Sequence, residues 1–201
     1  MSLAPMNYDF GNASNYSFAT TITCANEDAR KMFVEGFGHM LNFNHEQAIA
    51  CYMKVAELDP NCAMAYWGIA YCVSSNYNWT PGLGSGYDPI QQAISLKAGC
   101  SELEQDLIDA LAQRHSEEAR DAADPSVLNM GNTPELNAAF AAAMAPLYEK
   151  YKGNLDVASI YVEALMNLKA WQLWDKNTET GEITPADDNT LTCVKVMEDA
   201  F

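Results

Sequence analysis

Positive charge is scarce in this chain. Lysine and arginine together number 11 against 27 acidic residues, a net charge of −16. Nucleic acid and anionic membrane surfaces both demand a basic footprint, so the deficit excludes them as direct partners. No apolar run is long enough to span a bilayer, because Asn, Gly or a charge interrupts the longest stretches. Residues 1–15 have no basic region leading into an apolar one, so they do not read as a secretory signal. Histidine is rare, at three residues. There is no CxxC, no HExxH, no P-loop and no GxGxxG, which removes zinc ribbons, the common zinc proteases and nucleotide cradles. Gly82, Gly84 and Gly86 lack the following Lys of a phosphate loop. No segment alternates as a strand would.

What remains is helical periodicity. Ala29, Phe33, Phe37, Met40 and Leu41 recur three or four residues apart, as one apolar stripe. Asn44 with Gln47 reads as a capping box opening a second helix through Ala48, Tyr52 and Val55, which Asp59-Pro60 ends. A third helix runs through Tyr66, Ile69 and Val73. Asp88-Pro89 is expected to start a fourth, with Asp88 as N-cap, ending near Gly99. Ser101 with Glu104 forms another capping box ahead of Leu107 and Leu111. Thr133-Pro134 starts a helix through Phe140 and Met144. Gly153-Asn154 separates it from one carrying Val157, Ile160, Tyr161 and Leu165, with Trp171 and Trp174 at its end. A last helix bears Leu191, Val194, Met197 and Phe201 on one stripe, a face that calls for a neighbour, either further repeats or a second subunit. The expected organisation is an N-terminal extension, 1–19, then one helical domain, 20–201, with loops near 74–87, 124–133 and 175–188. The loop from Asn76 to Tyr87 carries Tyr77, Trp79 and Leu83, so it is expected to pack rather than wave. Cys24, Cys51, Cys62, Cys72, Cys100 and Cys193 show no disulfide rhythm, and the three on helical stripes read as core thiols in a reducing, intracellular setting.

Met32, Phe33 and Gly36 are matched about 34 residues later by Tyr66, Trp67 and Ala70, the period of tetratricopeptide repeats. The small residues Gly36, Ala48 and Ala70 permit close helix approach, and Tyr52 fills the space beside them. The runs Phe43-Asn44-His45-Glu46-Gln47-Ala48 and Leu58-Asp59-Pro60-Asn61-Cys62-Ala63-Met64-Ala65-Tyr66-Trp67-Gly68-Ile69-Ala70 resemble a group of tetratricopeptide-repeat (TPR) proteins reading FNHEEA and LDPNCAMAYWGIA. Ala164-Leu165-Met166-Asn167-Leu168 with Trp171 and Trp174 extends the likeness. The resemblance implies an all-α, TPR-like α-solenoid of antiparallel helix pairs. It also implies a continuation beyond position 201 into a histidine-bearing stretch and further repeats, and it attaches no activity.

The chemistry-bearing residues are few. Phe33, Phe37, Trp67 and Tyr71 on the inner helices, with Tyr77 and Trp79 in the first loop, are the groove candidates. Aromatic rather than basic, they favour an apolar or basic protein or peptide over an acidic one. His39, His45 and Glu46 are the weak metal candidates, since imidazole and carboxylate suit zinc or iron, but their spacing closes no site. His115 ends a helix, where the dipole favours a cation or donor. No nucleophile stands beside a base, and no cofactor is implied. The expectation is a protein- or peptide-binding or assembly module without an assigned reaction. The alternative is a metal-dependent enzyme around His45 and the 76–87 loop.

Overall fold

The computed structural model describes residues 17–78, 84–122 and 133–200. They form α1 (Glu27–Leu41), α2 (His45–Leu58), α3 (Ala63–Val73), α4 (Tyr87–Leu96), α5 (Glu102–Ala112), the short α6 (Glu117–Asp121), α7 (Pro134–Lys150), α8 (Leu155–Met166) and α9 (Asp188–Ala200). Between α8 and α9 lie β1 (Trp174–Lys176) and β2 (Ile183–Pro185). The architecture is thus helical, with one small antiparallel hairpin in register Trp174↔Pro185 and Lys176↔Ile183. That hairpin corrects the reading of 175–188 as loop and of Trp174 as a helix end. Its residues are nearly all exposed, so no alternation of polarity announces it. Among the described residues no helix is long and apolar enough to cross a membrane.

The helix starts follow local chemistry. Asn26 accepts from the Asp28 and Ala29 N–H groups to cap α1, and Ser101 and Glu104 complete their capping box on α5. Thr133 and Asn154 cap α7 and α8. Two expected caps differ. Asn44 occupies the N-cap of α2 but turns its amide to His39 Nδ1, 3.3 Å away. In α4 the helix opens one residue before Asp88, with Gly86 as N-cap, a position that admits only glycine because any Cβ there would lie 2.3 Å from the His115 ring and 2.7 Å from the Ala70 carbonyl. Asp88 instead pairs with Arg120 from α6.

The core gathers around α1, α2 and α3. The Tyr52 ring is wholly buried between two glycines. A Cβ on Gly36 would stand 3.0 Å from that ring, and one on Gly68 only 2.6 Å away. A segment ahead of α1 completes this core. Phe18 meets Phe33, Phe37 and Trp67 edge-on, at 6.1, 5.2 and 5.9 Å between ring centroids. Phe18 and Ala19, assigned to an extension by sequence, are therefore part of the hydrophobic core.

Three buried carboxylates strap this segment across the helices. Asp156 accepts from Phe18 N–H at 2.7 Å, Glu104 from Thr23 N–H at 2.7 Å, and Asp59 from Ala25 N–H at 2.7 Å. Burial pushes the Asp59 carboxyl up, but hydrogen bonds from Ala25, Cys24 and Asn61 outweigh it and hold the group below its ordinary value. At Asp156 burial prevails over similar bonds and the carboxyl is raised. The six cysteines are free thiols, five of them buried.

Gly68→Ala is expected to destabilise the fold by about 1–3 kcal/mol, since the added methyl group must displace Tyr52. Urea unfolding measures this, and an unchanged midpoint rejects the close-approach argument. The acid limb tests the strap. A depressed carboxyl contributes stability in full above its unfolded pKa, near the ordinary value of 3.8, and loses it as pH falls through the folded value. Asp59→Asn should therefore flatten the wild-type loss of stability below that pH. Asp156 works in the opposite sense, so Asp156→Asn should not flatten it.

Candidate functional site

α8 has the sequence LDVASIYVEALM, an apolar helix with two carboxylates seven residues apart. Asp156 holds the strap. Glu163 is 8% exposed and stands in the wall of an apolar pocket of about 310 Å³. One wall is α8, through Leu155, Ala158, Val162 and Met166, and another is α9, through Val196, Met197 and Ala200. The end of α1 and the turn into α2 close it with Leu41 and Phe43. Phe43 adopts a left-handed backbone, φ 58°, unusual for an aromatic residue. Its ring stacks on His45, 6.0 Å between centroids.

Behind the pocket lies a polar cluster. Tyr71 donates its hydroxyl to Glu163 Oε2 at 2.5 Å. Glu163 Oε1 is buried and accepts no hydrogen bond from the described residues. Arg114 is 1% exposed, with Nε donating to Asn137 Oδ1 at 2.8 Å, Nη2 donating to the Ser75 carbonyl and its face over Phe140. A buried guanidinium needs a counter-charge. Burial lowers the Arg114 pKa, while Tyr71 and Glu163 nearby pull it back up, and Arg114 Nη1 is buried without a hydrogen-bond partner among the described residues. His45 Nδ1 lies 3.2 Å from the Asn76 amide nitrogen. Burial lowers the His45 pKa against the opposing charge of Glu163.

The groove candidates do not line an open face. Phe33, Phe37, Trp67 and Tyr71 are core, because Phe18 covers the first three and Tyr71 turns inward to Glu163. Tyr77 stacks on Trp171, 5.3 Å between centroids, while Trp79 lies outside the described residues. His45 and the first loop do meet, through Asn76. Glu46 is exposed. His39 groups not with His45 and Glu46 but with Glu35 and Cys51, donor atoms within 4.8 Å of one another. Burial, with the Glu35 charge second, pushes the Cys51 thiol up to about 12. His115 is not a helix-end cation. Burial, then the Arg114 charge, lowers it to about 3, and its Nε2 lies 3.3 Å from Ser74 Oγ.

Of the C-terminal stripe, Leu191 and Met197 are 53% and 50% exposed, Val194 is half-buried and Phe201 lies outside the described residues. α9 seats instead through Thr190, Cys193 and Val196. Sequence reasoning missed Glu163 and Arg114. The signal for Glu163 was a carboxylate on the buried stripe of an apolar helix, whereas Arg114 carried none.

No family model matches the chain, and no curated protein or solved structure matches it.

Tyr71→Phe removes the only described hydrogen bond to Glu163 and leaves the carboxylate buried without a donor. The expected loss is about 1–3 kcal/mol. The double variant Tyr71→Phe with Glu163→Leu should recover part of it, and strict additivity in thermal melts would dissolve the proposed coupling.

Proposed function

We propose that the chain is a TPR-like helical binding module that captures an apolar, basic protein segment in the α8–α9 pocket. The observation carrying this reading is Glu163: a carboxylate in the wall of an apolar pocket, with one oxygen held by Tyr71 and the other buried without a hydrogen bond. A buried acceptor left empty costs about 1–3 kcal/mol, so a ligand that brings a donor recovers that free energy on binding. An aliphatic side chain fills the pocket, and a Lys or Arg one turn along the partner draws the Glu163 carboxylate toward the pocket to reach Oε1. The net charge of −16 attracts such a segment over a distance.

Two features support the repeat architecture. Helices α1 to α3 follow one another through short turns and pack in sequence, as do α7 and α8, while α9 packs on α8 after the hairpin. The small residue expected at Gly36 sits at a close helix contact. Met197, half exposed in the pocket wall, and Leu191, half exposed on the same helix, give a partner further apolar ground on α9.

Selection of peptides from a displayed library tests the reading, with Ser159→Trp as the counter-target, since Ser159 is exposed and lines the pocket. Enrichment of peptides with an aliphatic anchor and a basic residue three or four positions away is the expected result. Glu163→Gln should then weaken a selected peptide about tenfold, or ~1.4 kcal/mol. Equal enrichment on the pocket-filled variant rejects the proposal.

A further inference from the structure

We infer that Glu35, His39 and Cys51 form a binding site for a borderline divalent cation of the zinc class. Glu35 and His39 are four residues apart on α1, one helical turn, and so project from the same face. Cys51 comes from α2. It reaches them because the two helices touch at Gly36, where an added Cβ would stand 3.0 Å from Cys51 Cβ. One donor atom from each residue falls within 4.8 Å of the other two, a separation that one small cation can bridge.

The donor set narrows the choice. Thiolate, imidazole and carboxylate together suit zinc, while calcium and magnesium take oxygen alone. Charge points the same way. As the metal–sulfur bond forms, Cys51 releases its thiol proton to solvent. One thiolate and one carboxylate then neutralise a divalent ion, which suits a site where His39 and Cys51 are 3% and 0% exposed. The Asn44 side-chain amide lies 3.3 Å from His39 Nδ1. With that amide turned so that its oxygen accepts the Nδ1 proton, the contact becomes the outer hydrogen bond that metal-bound histidines make and leaves Nε2 for the metal. Glu35 as a whole residue is only partly buried. Three protein donors leave one tetrahedral position, which water takes.

The site shares no residue with the α8–α9 pocket, so each stands without the other. Cobalt(II) titration of the full chain tests it. One equivalent is expected to bind with thiolate-to-cobalt charge-transfer absorption, and zinc is expected to displace it. The absorption should vanish in Cys51→Ala and in His39→Gln and persist in Cys62→Ala, whose thiol is buried elsewhere in the core. Glu35→Gln, at a partly solvated position that tolerates change, should weaken binding at least tenfold with an unchanged circular dichroism spectrum. Absence of the charge-transfer band in the folded wild type overturns the site. So does a band that survives in Cys51→Ala or, should that variant fail to fold, in His39→Gln.

Discussion

The ring of Tyr52 pressed between Gly36 and Gly68 sets the geometry on which the other contacts rely. A side chain at either glycine would separate α2 from α1 or from α3. With both absent, the three helices close on one ring. Cys51 is thereby brought beside His39, and the α1 stripe of Phe33 and Phe37 turns toward Trp67 and Phe18. Small residues in a helical core are costly on their own, since they bury little apolar surface. Here they are matched by one large ring, so volume is conserved across the contact.

The second organising element is polar. Asp59, Glu104 and Asp156 lie at the start or end of three different helices, and each takes a backbone N–H of the segment before α1. Glu104 does so while completing a capping box. One carboxylate thus satisfies the orphan donors of its own helix and anchors a distant chain. Glu163 differs, because its second oxygen has no such use within the described residues. Four carboxylates buried on one scaffold, of which three hold backbone and one faces an apolar pocket, make Glu163 the chemical exception.

Helix positions were legible from periodicity, and several starts were legible from capping residues, because both signals are local. Ser101 and Glu104 are three residues apart, and their pairing needs no knowledge of the rest. The aromatic residues show the limit. Helical spacing marks Phe33, Phe37 and Trp67 as one apolar face, but it does not say what covers that face. The cover is Phe18, outside the helices altogether. The polar cluster was illegible for the same reason, since Tyr71, Arg114 and Glu163 are far apart in sequence and meet only after packing. His39 was noticed for chemistry, but its neighbours were sought along the chain, beyond the helix, when they lay one turn back and across the α1–α2 contact.

The strap has a consequence for the order in which the protein is made. Phe18 emerges from the ribosome long before its anchor, because Asp156 lies 138 residues further along. Helices α1 to α3 can assemble first, from local contacts, while the ring that seals them has no fixed seat. Two of the strap's anchors, Asp59 and Glu104, are made before α8, so only the last hydrogen bond, from Phe18 to Asp156, waits for it. Closing the strap then records that the C-terminal half has arrived. The finished strap joins the first described residues to α8 across 138 positions of sequence, a late clasp on a core that forms early.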